Sequence, residues 1–320
     1  MAIKRKTAVV AVGGNALIRD AKRTSLYDQY EAVCLTVPHV VDLIEAGWNV
    51  VLTHGNGPQV GFLLRKSELS RNELPPAPLD YCGSNTQGSI GYMFEVALYN
   101  EFRRRGMSNQ AIALICQTVV DRKDPAFADP AKPVGSFMTE AEALKHRDEN
   151  GWTVVEDSGR GWRRVVPSPV PLRIVQEDII RNLAEGGLTV IGAGGGGIPV
   201  VEEADGTLSG IEAVIDKDLA SAMLASAIGA ELFLISTEVE KVCLNFKKPN
   251  QIELGAMSVR EAEQALVDGQ FGKGSMEPKI RAVLGYLSRG GRRAIVTNSE
   301  NMARALRGET GTHITEDEGR

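Results

Sequence analysis

VIGAGGGGIPVVEEADGTLSGIEAVIDKD, residues 190–218, is the stretch from which the rest of the chain can be read. The apolar run at 188–191 predicts a buried strand. It breaks into four consecutive glycines, 194–197, and the stretch closes on Asp216-Lys217-Asp218. An apolar pattern with helical spacing follows at 219–228. Glycine lets backbone N–H groups approach an anion with no Cβ in the way. A lysine beside such a loop supplies mobile positive charge, and a helix start adds to it. Together these features point to a phosphate-handling site in an α/β protein.

Upstream, residues 7–12 are β-branched and apolar and end in Gly13-Gly14-Asn15-Ala16. Helical spacing covers 27–46 and stops at Gly47, and Pro38 inside it should kink the helix or mark a start. A strand at 48–53 runs into His54-Gly55-Asn56-Gly57. A helix to about Ser70, the breaker Pro75-Pro76-Ala77-Pro78, a helix over 88–105 and a strand at 111–116 follow. A helix is expected over 172–185, just before the opening stretch, in which Asp205-Gly206 signals a hairpin. Downstream, strands are expected at 231–236 and 294–297, and helices at 258–267, 278–287 and 299–306. Ser258 and Glu261 make a capping box, and Pro278 sits in a first turn. The tail EDEGR is expected to fray. This alternation predicts right-handed βαβ units on a parallel sheet. Residues 121–169 break the rhythm with Pro, charge and aromatics. Trp152, Trp162 and Phe137 mark them as an inserted subdomain or lid, because disordered linkers are poor in aromatics.

The 320 residues are enough for one large α/β domain or two smaller ones. A net charge of −5 lacks the basic footprint of a nucleic-acid binder. No apolar run is long enough to span a membrane. Cys34, Cys82, Cys116 and Cys243 lack CxxC spacing, and the four histidines are dispersed without HExxH. That pattern predicts neither a metal centre nor a disulfide scaffold, and it fits a reducing cytoplasm.

Two familiar phosphate signals fail. Gly272-Lys273-Gly274-Ser275 lacks the upstream glycine of a GxxxxGK[ST] loop. Gly192, Gly194 and Gly197 satisfy GxGxxG, but a glycine run forces that match. A dinucleotide fold also needs a helix next, and Ile198-Pro199-Val200-Val201 reads as a strand. What remains is three loops after strands: Gly13-Gly14-Asn15, Gly55-Asn56-Gly57 and the glycine run. Ligands of an open parallel sheet bind outside the carboxyl ends of its strands, so the three loops can share one edge. Asparagine donates from its amide without adding charge. Phosphoryl transfer needs alignment and cations rather than covalent help. Lys217, Lys279 and Lys132 are the candidate cations, and Asp216 is placed to orient Lys217.

At this point the chain resembles the carbamate kinases of the amino acid kinase superfamily. The motifs are GGNA at 13–16, THGNGPQVG at 53–61, CGSNTQGSIGYM at 82–93, DPAFADPAKPVGSF at 124–137, EDSGRGWRRVVPSP at 156–169, GGGGIPV, IEAVIDKDLA and GSMEPK, and the similarity runs from about 9 to 314. The resemblance implies a three-layer αβα sandwich with a mainly parallel open sheet and a small protruding subdomain. It implies one domain over 1–320, with 1–120 and 170–190 as the carbamate and phosphoryl half, 121–169 as the protruding lid, and 191–320 as the nucleotide half. The implied reaction is reversible transfer between carbamoyl phosphate and ADP, giving carbamate and ATP, with Mg²⁺. Gly13, Gly14, Asn15, Gly55, Asn56 and Gly57 would hold the substrate. Lys217 and Lys279 would neutralise phosphates, Asp216 would organise them, and Lys132 would reach in from the lid. Gly195, Gly196 and Gly197, with Thr237, Val239, Lys241 and Met276, would border the nucleotide. A cytoplasmic homodimer acting on small molecules is also implied.

Some positions depart from the family pattern. Lys273 stands where proline is usual, Glu277 where glycine is usual, and Cys243 where an aromatic is common. The 27–36 segment lacks the usual asparagine. A carboxylate at Glu277 should repel phosphate unless Lys273 or Mg²⁺ offsets it. The competing readings are a kinase for another small carboxylate and a non-catalytic nucleotide-binding homologue.

Overall fold

Thr7–Val12 forms β1, buried along its whole length. Its neighbours in space are strands from distant parts of the chain. The structure is a computed structural model and describes residues 5–316 apart from 15, 16, 19, 21, 158 and 273. Asn15, Lys273 and the tail at 317–320 therefore lie outside the described residues.

In chain order, β1 leads to α1 (Leu26–Glu45), β2 (Asn49–His54), α2 (Gln59–Leu69), α3 (Leu79–Arg104), β3 (Ala111–Ala113) and β4 (Gln117–Val120). Next come β5 (Lys132–Met138), α4 (Glu140–Asn150), β6 (Thr153–Glu156), β7 (Trp162–Val166), β8 (Pro171–Ile174), α5 (Glu177–Glu185) and β9 (Thr189–Ile191). The glycine run makes a short 3-10 turn, followed by β10 (Ile198–Glu202), β11 (Leu208–Gly210), α6 (Lys217–Ala227) and β12 (Leu232–Thr237). The chain continues with β13 (Val242–Leu244), β14 (Ile252–Leu254), β15 (Ala256–Ser258), α7 (Val259–Val267), α8 (Met276–Leu287), β16 (Ala294–Asn298), α9 (Met302–Leu306) and β17 (Thr312–Thr315).

The main sheet has the order β15-β17-β16-β12-β1-β2-β9-β3. Every pairing in it is parallel except β16 with β17. Strands buried on both faces need no polar alternation, which is why TAVVAV and NVVLTH read as continuous apolar runs. Val9 and Ala11 face one core with α5, α6, α7 and α8. Ala8, Val10 and Val12 face the other with α1, α3 and α9. The result is a three-layer αβα sandwich with a mainly parallel sheet. Because β1, β2, β9 and β12 run the same way, the loops that follow them emerge along one edge. A second sheet, β11-β10-β4-β8, adjoins it, and β5-β7-β6 forms a separate antiparallel sheet backed by α4.

Several elements differ from the sequence expectation. Helix α3 starts at Leu79 rather than near 88, because CGSNTQG is helical despite its glycines. Gly91, further along the same helix, has a packing reason. A Cβ there would lie 2.7 Å from the Ala113 Cβ, so α3 can pack directly on edge strand β3. Residues 172–174 form strand β8, paired antiparallel with β4, rather than the start of a helix. Helix α4 was not anticipated, although Thr139 and Glu142 form a capping box that marks its start. Pro38 lies within α1, which continues through it.

Candidate active site

The site is built around the start of α6. Asp216 is the N-cap, its Oδ1 accepting from the backbone N–H of Asp218 (2.9 Å) and Leu219 (3.3 Å). Lys217 is then the first helical residue, where a cation opposes the helix dipole. Breaking a local rule in this way is the mark of a functional position. Asp218 compensates. It is 4% exposed and accepts hydrogen bonds from Lys217 Nζ and, at 2.9 Å, from Lys279 Nζ on α8. Burial alone would raise the Asp218 carboxyl, but the two ammonium groups outweigh it and hold the group below its ordinary range. On the opposite side, Lys132 Nζ reaches from β5 to Asp216 Oδ2 at 3.2 Å. A buried chain of hydrogen bonds fixes α6 to the sheet: Ser221 Oγ donates to the Lys217 carbonyl (2.6 Å) and meets Thr53 Oγ1 of β2 (2.6 Å).

The glycine run is dictated by contact. A Cβ on Gly194 would lie 2.3 Å from the His54 ring, and one on Gly195 would lie 1.9 Å from Asn56 Oδ1. One on Gly197 would meet Thr118 Oγ1 at 2.0 Å. Gly195, Gly196 and Gly197 also have positive φ, which glycine adopts freely. The turn is pinned by Gln87 of α3, whose Nε2 donates to the Gly194 and Cys116 carbonyls (3.1 and 3.0 Å). Buried His54 bonds the Gly55 carbonyl through Nδ1 at 2.9 Å. Burial, with Lys217 nearby, pushes its pKa down to about 4, so the ring is neutral at physiological pH. Asn56 Oδ1 is buried without a hydrogen-bond partner.

Two cavities meet along this edge. The larger, about 790 Å³, is lined by the loop at 55–57, Gly195, the start of α6 and the β5 and β7 residues Lys132, Phe137 and Arg163. Its described lining carries Lys132, Arg163, Lys217 and Lys279 against Asp216 and Asp218. In a chain of net charge −5 this is a focused positive field, suited to a phosphorylated anion. The smaller cavity, about 330 Å³, is lined by Gly13, Gly14, Thr237, Val239, Lys241, Cys243 and Met276 among others. Gly274, Ser275 and Lys279 belong to both. The arrangement can hold two anionic ligands end to end with a shared ammonium group at the join.

The sequence model of the amino acid kinase family matches residues 6–298. A carbamate kinase of Thermococcus kodakarensis is 45% identical over 312 residues, 97% of this chain and 99% of that one. The chain belongs to the amino acid kinase family, among the carbamate kinases. A carbamate kinase-like protein of Escherichia coli, YahI, is equally similar, at 45% over 313 residues, covering 97% of this chain and 99% of its own. The carbamate kinase from Giardia lamblia bound to AMP-PNP superposes with a TM-score of 0.93 at 39% identity, covering 98% and 99% of the two chains.

In this amino acid kinase, the anticipated residues divide between the cavities. Gly55, Asn56, Gly57, Lys132, Asp216 and Lys217 line the larger one, and Thr237, Val239, Lys241 and Met276 the smaller. Lys279 lines both. Gly13 and Gly14 lie on the smaller cavity, away from the other glycines expected to hold substrate; a hydrogen bond from Gly13 N to the Ser236 carbonyl (3.0 Å) holds that turn against β12. Asn15 lies outside the described residues.

Two expectations need correction. Gly195 was expected beside the nucleotide residues and instead faces the larger cavity, while Gly196 and Gly197 are buried and line neither. A Cβ on Gly196 would meet the Ile215 backbone and one on Gly197 would meet Thr118. Asp216 was expected to organise Lys217 and Lys279, but Asp218 does so, and Asp216 caps the helix and holds Lys132. The signal for Asp218 was present in the DKD triplet, since a residue two past an N-cap lies on the turn facing the site. Arg163 was missed because GWRRVV carries no phosphate pattern. Glu277 pairs with Arg281 one turn on (2.9 Å), which offsets the carboxylate expected to repel phosphate.

Proposed function

We infer that this carbamate kinase family member transfers a phosphoryl group between carbamoyl phosphate and ADP, giving carbamate and ATP. The carrying observation is Lys279: it lines both cavities while Asp218 couples it to Lys217. A transferring group crosses from one ligand to another, and its charge needs cations at the crossing point.

In the ATP-forming direction, an oxygen of the nucleotide's terminal phosphate attacks phosphorus in carbamoyl phosphate. The bond from phosphorus to the carbamate oxygen breaks, and carbamate leaves with that electron pair. Lys217 and Lys279 lie against the equatorial oxygens, held at fixed spacing by Asp218. The backbone N–H groups of the 55–57 loop and the start of α6 add donors that require no reorganisation. The larger cavity takes carbamoyl phosphate beneath the 121–169 segment, which acts as a lid bringing in Lys132. The smaller takes the nucleotide, the class of ligand that the Giardia relative binds as AMP-PNP. Mg²⁺ would enter with the nucleotide substrate and would neutralise phosphate oxygens there. Among the described residues no group of three or more His, Cys, Asp or Glu side chains could cage it, and Asp216 and Asp218 are committed to lysines. Ions of this kind keep waters and phosphate oxygens as ligands.

The purified protein with ADP, Mg²⁺ and carbamoyl phosphate is expected to form ATP in a coupled assay. Absence of ATP, or faster turnover with another small carboxyl phosphate, would overturn the assignment. We also propose a cytoplasmic homodimer. Among the described residues no helix is long and apolar enough to cross a membrane. Tyr81, Tyr92 and Tyr99 are exposed at helical spacing along α3, a face fit for a second copy. Light scattering on the eluting protein is expected to give twice the chain mass.

A further inference from the structure

Phosphoryl transfer in this site draws on the backbone N–H groups of the 55–57 loop and leaves His54 without a role. Yet the ring is tied to that loop. His54 ends β2, is 2% exposed and lines neither of the two cavities. One edge presses on Gly194, where a Cβ would lie 2.3 Å from Nε2. The ring stacks on Phe94 of α3, with 6.0 Å between centroids and 18° between planes. Its Nδ1 lies 2.9 Å from the carbonyl oxygen of the next residue, Gly55. A carbonyl only accepts, so Nδ1 carries the proton and Nε2 the lone pair. Burial keeps that tautomer uncharged.

A trans peptide unit is planar, so its C=O and the following N–H point in opposite directions. Holding the Gly55 carbonyl towards the ring therefore turns the Asn56 N–H away from it. Residues 55–57 line the larger cavity and His54 does not, so away from the ring is towards the cavity. Neither the Asn56 nor the Gly57 N–H donates to a backbone carbonyl among the described residues. The residue types make this orientation reversible. Flipping the 55–56 peptide changes ψ of Gly55 and φ of Asn56, and glycine and asparagine are the residues that accept such values most readily. A flipped unit would present a carbonyl oxygen where the N–H stands and would repel an anion. The same peptide borders Lys217, since a Cβ on Gly55 would lie 3.6 Å from Lys217 Cδ.

We propose that His54 is a positioning residue: its Nδ1–H holds the 55–56 peptide so that the Asn56 N–H faces the phosphoryl group in the larger cavity, and it blocks the flip that would put an oxygen there. This rests on the larger cavity taking the phosphorylated substrate. His54 touches no substrate and moves no proton; it acts through one peptide plane. A donor fixed before the substrate arrives needs no reorganisation during transfer.

The test compares the unaltered protein with His54→Leu, which removes the donor, and His54→Asn, whose amide nitrogen takes the place of Nδ1. Rates are measured with carbamoyl phosphate and ADP, and affinities by titration calorimetry with inorganic phosphate and with ADP. The leucine variant is expected to lose about 10²-fold in kcat, the scale of a reacting group misplaced by about an ångström. Its phosphate affinity should fall about tenfold, as for one hydrogen bond to a charged group, with ADP affinity unchanged within twofold. Asparagine should restore most of both losses, and its pH–rate profile should match that of the unaltered protein. Near-normal kcat in the leucine variant would overturn the proposal, as would equal losses in the two variants. Parallel losses of phosphate and ADP affinity would show a general structural role and overturn it as well. A limb of the pH profile that disappears with the imidazole would make His54 a proton carrier instead. Should the unaltered protein form no ATP, the reaction falls, but loss of phosphate binding in the leucine variant and its return with asparagine would still establish the positioning role.

Discussion

The site contains two lysine–aspartate arrangements that differ in how they are anchored. Lys217, Asp218 and Lys279 sit on α6 and α8, packed against the sheet and almost closed to solvent. Lys132 and Asp216 join a strand of the small β5-β7-β6 sheet to the same helix start, and the Lys132 side chain is over one-third exposed. The same charge chemistry thus serves two purposes. A buried pair in low dielectric is strong and fixed, whereas a half-exposed pair is weak and readily exchanged. Under the proposed phosphoryl transfer, the buried arrangement suits the reacting phosphorus and the half-exposed one the rim.

The largest effect is expected from Asp218→Asn. It leaves Lys217 and Lys279 adjacent, largely buried and without their counter-charge. Breaking a buried pair typically costs ~3–5 kcal/mol, so both the melting temperature and kcat should fall sharply. Near-normal values in both would erase the contrast between the two centres. Lys217→Ala should follow, with kcat reduced by ~10²–10³-fold, the scale for one preorganised electrostatic group, and with the fold retained by circular dichroism. Lys132→Met should cost about tenfold in kcat/KM for carbamoyl phosphate with little change in stability, as suits an exposed pair. A loss at Lys132 equal to that at Lys217 would show that the lid lysine belongs to the fixed centre.

A pH series separates the fixed region further. His54 has a folded pKa of about 4 against an ordinary 6.5. The folded chain therefore carries fewer protons than the unfolded chain between those values. The stability from a neutral His54 is complete above pH 6.5 and drains as pH falls towards 4, by up to ~3 kcal/mol. Asp218 is held below its ordinary 3.8, so its contribution is lost only below that value, outside the His54 window. Denaturant melts of His54→Gln should flatten the decline between pH 6.5 and 4; an unchanged slope would place the buried titration elsewhere.

The sheet was readable because its strands are buried on both faces and sit between glycine turns. The edge on which the loops gather followed from parallel pairing alone. Helix α3 was cut short in the reading because Gly83 and the polar run after it, following the proline-rich breaker, mimic a loop; Gly91 was inside the expected helix, and only its contact with Ala113 shows what it is for. Assigning carboxylates to lysines was beyond sequence. Asp216 and Asp218 flank Lys217 symmetrically in the chain, and it takes the helix start, with Lys279 arriving from α8, to separate a cap from a charge organiser. The glycine run was likewise seen without its neighbours, since the His54 ring, the Asn56 amide and the Thr118 hydroxyl that forbid a Cβ come from the end of β2, the loop after it and β4.

The smallest expected effect tests what positions the half-exposed pair. A Cβ on Gly61 of α2 would stand 3.2 Å from the Gly135 Cα on β5, tight enough to move the neighbour by a few tenths of an ångström. Gly135 has a φ of 75°, in the left-handed region that glycine adopts freely. Alanine inside a helix is worth up to ~1 kcal/mol over glycine, so Gly61→Ala should leave the melting temperature level or slightly higher. The displaced strand carries Lys132, so kcat/KM for carbamoyl phosphate should nevertheless fall a fewfold. Combined with Lys132→Met, the losses should not add, because both remove the same contribution from the lid. Strict additivity would mean that α2 supports the β5 strand without setting the reach of its lysine, and the weak centre would then need another hinge.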